Sequence, residues 1–163
     1  MPLRQSSPAR TRAHPRPSWS PSGTSTQEAP KPLLTLTISG TDDAALARDL
    51  AEAATDLTAS ILRKKRELTS VVVGFTSPAL WIIGGRSLAE HGLASFALTI
   101  KVTDGTNTPT DKAAYVDAVF AAMRARLGPL HEASYVVVED VPGEAWGYGG
   151  RTQASRAAAR VAA

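Results

Sequence analysis

The sequence predicts an α+β fold made of two tandem β-α-β units (βαββαβ), giving one four-stranded sheet with both helices on one face. Three observations lead there. First, a block recurs: Val71 to Arg86 reads VVVGFTSPALWIIGGR and Val136 to Arg151 reads VVVEDVPGEAWGYGGR, sharing VVV, a Trp after the same gap and a closing GGR without insertion. Such an internal repeat implies two similar substructures about a pseudo-symmetry axis. Second, each VVV follows a stretch with helical periodicity. Third, each helical stretch follows an alternating one. A strand, a crossover helix and a second strand of the same sheet run parallel with a right-handed connection, so two copies build a four-stranded sheet.

The first strand is expected over Leu33 to Ile38, where LTLTI alternates with period two, and its counterpart over Phe96 to Val102, where ALTIKV does the same. In the first helix Leu46, Leu50, Ala53, Leu57 and Ile61 recur at the spacing of one face, with Arg48, Asp49, Glu52 and Asp56 elsewhere. In the second helix Val116, Phe120, Met123 and Leu127 do so. Thr108-Pro109-Thr110-Asp111 supplies a capping hydroxyl, a proline at the first helical position and an acid in the first turn, and Gly128 can end the helix with positive φ. Arg63-Lys64-Lys65-Arg66 falls at the first helix's C-terminus, where cations favour the dipole. The second sheet face also needs cover: Leu36, Ile38 and the valine runs are too apolar for water, so self-association is expected.

Residues 1–31 differ in kind from the rest. They are rich in Pro, Ser and Arg and lack apolar periodicity, and their five cations against Glu28 give +4, while the rest of the chain carries −1, so the formal charge of +3 comes from this segment alone. A disordered N-terminal extension is expected there, followed by one domain over 32–163 with units at about 32–93 and 94–156 and a short C-terminal tail. The 43% hydrophobic and 20% charged content fits a globular domain. The absence of cysteine excludes disulfides and thiol catalysis. No histidine has a second at ligand spacing, so no metal site is expected. Neither a membrane span nor a secretory signal is read, and the expected location is cytoplasmic.

The two WxxGGR blocks, together with Pro32-Leu33-Leu34-Thr35-Leu36 at the start of the first unit, resemble the tautomerase superfamily, specifically the fused 4-oxalocrotonate tautomerase type with two β-α-β units in one chain. The resemblance runs from Pro32 to about Arg156. It implies a homotrimer, no metal or cofactor, and an isomerase moving a proton between keto and enol or dienol forms of a small 2-oxo acid. In that family an amino-terminal proline is the general acid/base. Its secondary amine has an ordinary pKa of about 7.7 to 8.0, which an apolar pocket lowers toward working pH.

The resemblance makes Pro32 the catalytic candidate. Superposing the LTI segments puts Ala94 in the equivalent place of the second unit, so one site per chain is the ceiling. Pro32 follows Lys31, which makes its nitrogen a tertiary amide without a basic lone pair. Three alternatives stay open: a start codon chosen too far upstream, a segment removed to expose Pro32, or a permanent tail that silences the site. The two arginines of the single-unit enzymes are missing, their places being taken by Thr41 and by Ser70 or Tyr135. Arg86, Arg151 and Lys101 are therefore the candidate carboxylate-binding cations, with ion pairing as the alternative role. Trp81 and Trp146 match the family's pocket aromatic, and interface packing is their alternative. Gly84, Gly85, Gly149 and Gly150 are expected to make tight turns. Neither nucleic acid nor membrane is an expected partner. The rival function is a non-catalytic module, either a silenced tautomerase or a ferredoxin-like small-molecule binder.

Overall fold

The computed structural model describes residues 31–162. The expected N-terminal extension therefore lies, apart from Lys31, outside the described residues. The architecture is the α+β arrangement read from the repeat. Strand β1 (Leu33–Ser39) leads into helix α1 (Ala44–Ser60), a single 3-10 turn and strand β2 (Ser70–Thr76). A hairpin of β3 (Ile82–Ile83) and β4 (Arg86–Ser87) and the short helix α2 (Leu88–His91) close the first unit. The second unit repeats the plan with β5 (Phe96–Thr103), α3 (Pro109–Leu127), β6 (Tyr135–Val141), the hairpin β7 (Gly147–Tyr148) and β8 (Arg151–Thr152), and helix α4 (Gln153–Val161). The sheet order is β2-β1-β5-β6, with parallel pairs inside each unit and an antiparallel β1–β5 pair between them.

The core lies between one sheet face and helices α1 and α3. Leu34, Leu36 and Ile38 of β1 and Leu98, Ile100 and Val102 of β5 are buried there with Leu50, Tyr115, Val119 and Met123. This corrects the expectation that Leu36 and Ile38 need a partner chain. Residues at even spacing share a face of a strand, and theirs is the face that the helices cover. The uncovered face carries Leu33, Thr35 and Thr37 on β1, and each valine run sends only its middle member there, with Val72 56% and Val137 45% exposed.

The helices begin where capping chemistry allows. Asp43 accepts from the Ala45 and Leu46 N–H groups at 2.9 and 3.0 Å, and Thr108 with Asp111 forms a reciprocal capping box ahead of Pro109. The buried stripes sit beside those read from apolar spacing. In α1 the fully buried positions are Leu50, Ala54 and Thr58, with Leu46, Ala53, Leu57 and Ile61 half-buried around them. In α3 they are Tyr115, Val119 and Met123, while Val116 is 40% exposed. The reason is a polar pair inside the core: Thr58 Oγ1 donates to the Ala54 carbonyl and lies 2.9 Å from the Tyr115 hydroxyl. Both groups are satisfied there, which makes their burial tolerable, whereas apolar periodicity alone passes over Thr and Tyr.

The basic run after α1 does not cap it, a second correction. The helix ends at Ser60 and the chain turns through Arg63 at φ 56°. Arg63 then reaches Asp111 on α3 at 2.7 Å, and Arg66 reaches back to Asp56 and Glu52. Both Gly-Gly pairs do what their composition suggests: Gly84, Gly85, Gly149 and Gly150 all have positive φ in two-residue hairpin turns. Among the described residues no helix is long and apolar enough to cross a membrane.

Candidate active site at the start of the first strand

Pro32 immediately precedes β1, is buried, and accepts a hydrogen bond at its carbonyl from the Ser70 N–H at 3.1 Å. Its parity with Leu34 directs it to the helix-covered side of the sheet. Its nitrogen carries the Lys31 acyl group.

Strand polarity decides what else reaches this end. Because β5 is antiparallel to β1, Leu33 faces Lys101; because β6 is parallel to β5, the chain leaving Val141 delivers the β7–β8 hairpin to the same end. Lys31 Nζ accordingly lies 3.8 Å from the centre of the Tyr148 ring. Of the residues singled out by sequence, Pro32, Lys101, Trp146 and Arg151 thus gather at one end within a single chain. Trp81 and Arg86 sit on the β3–β4 hairpin, which follows β2 to the opposite end, where Ala94 occupies the place equivalent to Pro32.

The candidate cations differ in how free they are. Lys101 is held by Glu139 at 2.6 Å, and Arg86 bonds the Glu90 carbonyl at 3.3 Å. Arg151 is exposed at the rim of a shallow hollow of about 480 Å³ shared with Glu144, Trp146, Tyr148 and Thr152. Arg156, which sequence reasoning passed over, is half-buried: its guanidinium lies 3.9 Å from the Tyr148 ring centre, and Nη2 donates to the Tyr148 carbonyl at 3.0 Å. Trp146 accepts from the Gln153 N–H at 3.0 Å through its carbonyl, so hairpin and helix α4 form one rigid corner. Several buried polar atoms in this corner have no hydrogen-bond partner: Trp146 Nε1, Gln153 Nε2, Arg156 Nε and Thr103 Oγ1.

A second polar group lies on the loops linking the helices to β2 and β5. Lys64 is buried and donates from Nζ to Thr106 Oγ1 at 2.8 Å. Burial, reinforced by the neighbouring Arg63 charge, pushes its pKa down to about 8 against the pull of Asp111 and Asp140. Asp111 is held at about 2, first by the Thr108 N–H and then by the Arg63 guanidinium. His91, which ends α2, and His131 meet edge to face at 4.8 Å beside Ala94. Among the described residues no group of three or more histidine or acidic side chains is placed to hold a metal.

This geometry has known counterparts. A native fused 4-OT superposes with a TM-score of 0.67 at 22% identity, over 76% of this chain and 97% of its own. The chain has a fused tautomerase-like fold. A fused 4-OT solved as a symmetric trimer matches with a TM-score of 0.66 at 22% identity, over 76% of this chain and 98% of its own. A protein solved after inactivation by 2-oxo-3-pentynoate matches the tautomerase-like fold with a TM-score of 0.67 at 14% identity, over 76% and 98% respectively. No protein-family model and no curated protein matches the sequence.

The residues missed by sequence reasoning had a signal in the repeat. Extending the superposition of the two GGR blocks pairs Ile83 with Tyr148, Leu88 with Gln153 and His91 with Arg156. The backbone obeys that pairing: Leu88 N–H donates to the Trp81 carbonyl at 2.9 Å as Gln153 does to Trp146, and His91 contacts the Ile83 carbonyl as Arg156 contacts that of Tyr148. The polar and cationic members belong to the hairpin next to the proline.

Proposed function

We propose that this chain is a tautomerase catalysing keto-enol or dienol proton transfer on a small 2-oxo acid, with Pro32 as general acid/base in a form whose chain begins there. The observation that carries the reading is a buried proline opening the first strand of a fused tautomerase fold. A terminal proline nitrogen is a secondary amine, and desolvation disfavours its charged form, leaving it basic at neutral pH. The amine takes the proton of an enol hydroxyl; as the carbonyl forms, the C=C electron pair takes a proton at C3 from the ammonium. Cations at the same end, Arg151 among them, hold the carboxylate. Trp146 excludes water from the amine. No cofactor takes part.

The assembly proposed is a homotrimer. Support comes from the trimeric fused 4-OT and from an uncovered sheet face that exposes Leu33, Val72, Tyr135 and Val137.

A second reading, a silenced module without proton transfer, is favoured by one contact: Lys31, which acylates the proline, packs on Tyr148. Reaction with 2-oxo-3-pentynoate separates the two. In a chain beginning at Pro32, the amine adds across the triple bond and peptide mass analysis finds the adduct on Pro32. An unmodified Pro32 peptide in that chain would leave only the silenced module.

A further inference from the structure

We propose that the β7–β8 hairpin and helix α4 form a carboxylate cradle beside Pro32, with Arg156 as its cation and Trp146 Nε1 and Gln153 Nε2 as its neutral donors. The proposal deepens the tautomerase reading and rests on it for the identity of the acid, a 2-oxo carboxylate.

Three observations converge. Buried polar groups are almost always paired, yet Trp146 Nε1, Gln153 Nε2 and Arg156 Nε are buried without a partner, and Gln153 is only 9% exposed. All three can only donate, and the fourth unpartnered atom of the corner, the Thr103 hydroxyl, can donate as well. Their complement is a group that only accepts, and an ionised carboxylate is one. Arginine's planar fork suits it, since Arg156 spends Nη2 on the Tyr148 carbonyl and keeps other N–H groups for a ligand.

The second observation is placement. Gln153 and Arg156 are three residues apart on α4 and share a face. Backbone bonds from Gln153 to Trp146 and from Ala154 to Gly143 clamp that face onto the hairpin. The β1–β5 and β5–β6 pairings bring the corner to the end of the sheet where Pro32 precedes β1, and Lys31 Nζ lies over the Tyr148 ring there.

The third is the contrast between the duplicated halves. At the other hairpin the same backbone positions hold Leu88, fully buried, and His91, bonded to the Ile83 carbonyl. That corner lies beside Ala94, which cannot serve as a base. The donors without partners are found on the side that kept the proline. A scaffold requirement alone would be met by Leu in both halves.

The test uses the full chain, so that binding is read without turnover. The Trp146 indole N–H resonance, assigned through Trp146→Phe, is followed during titration with phenylpyruvate and with its neutral methyl ester. The acid shifts the resonance and the ester does not. Arg156→Met raises the Kd at least tenfold, Arg156→Lys recovers part of the loss, and Gln153→Leu, which installs the first half's residue, raises it several-fold. His91→Met in the first hairpin stays within twofold of the parent. An ester that binds as well as the acid, or an Arg156→Met Kd within twofold of the parent, overturns the cradle. If the chain beginning at Pro32 fails to ketonise phenylenolpyruvate while the Arg156-dependent shift persists, proton transfer falls and the cradle stands. If that chain is active and Arg156→Met leaves both its KM and the shift unchanged, the cradle falls and proton transfer stands.

Discussion

Leu36 faces Leu98 across the antiparallel β1–β5 pair, and each is the other's counterpart in the duplication. The local two-fold axis of the domain therefore passes between them, and both are fully buried. The halves are alike in their core and unlike at their strand openings, where one has Pro32 and the other Ala94. Shared packing with divergent ends fits the proposal of one site per chain.

Because the two leucines sit in equivalent packing, Leu36→Ala and Leu98→Ala should destabilise to a similar degree, each by about 2–5 kcal/mol. Urea unfolding at fixed protein concentration checks this. A difference approaching the whole of either effect would contradict the two-fold equivalence.

The buried hydroxyl pair makes a smaller prediction. Tyr115→Phe keeps the ring's packing and leaves Thr58 bonded to the Ala54 carbonyl, so the loss should be about 0.5–1.5 kcal/mol. Burial of the phenol raises its pKa to about 12. The parent should consequently show no buried tyrosinate in the ultraviolet below that pH while it stays folded.

Lys64 sets a sign for pH dependence. Its folded-state pKa of about 8 lies below the ordinary lysine value of 10.5, so between these values the unfolded chain holds a proton that the folded chain has released. Its contribution to stability rises with pH through that window and is absent below it. Lys64→Met should flatten this part of the stability curve and raise stability at neutral pH, where the parent carries a poorly solvated charge. Denaturant midpoints at pH 7 and pH 10 test the difference.

Gly147 offers a way to disturb the candidate site without touching its side chains. A Cβ there would come within 2.1 Å of the Arg151 carbonyl oxygen, which is backbone. Gly147→Ala should therefore shift the hairpin and raise the KM of a chain beginning at Pro32 several-fold, with a small loss in global stability. An unchanged KM would show that the hairpin does not position substrate.

Much of the fold was legible because it rests on local periodicity and on the repeat. The strands of LTLTI and ALTIKV, the Thr108-Asp111 cap and the Gly-Gly turns each follow from short-range sterics and hydrogen bonding. The stripes on α1 and α3 were displaced because Thr58 and Tyr115 satisfy one another in the core, a pairing across 57 residues that no spacing rule contains. The face of Leu36 was misjudged because alternation shows that one side of a strand is apolar without showing which side the helices cover. At the site, Trp146 was legible as a repeat landmark, and Pro32 was singled out through the family resemblance of the segment it opens. Gln153 and Arg156 were not, since their interest lies in buried donors without partners, and only packing shows which donors are left over.

The most direct measurement is the rate of phenylenolpyruvate ketonisation by three proteins: the full chain, a chain beginning at Pro32, and that shortened chain with Pro32→Ala. The account predicts turnover in the shortened chain alone, with a loss of at least about 10²-fold in the other two, in line with removal of a general acid/base. Equal rates in all three, or none in any, would contradict a proline nitrogen as the proton carrier.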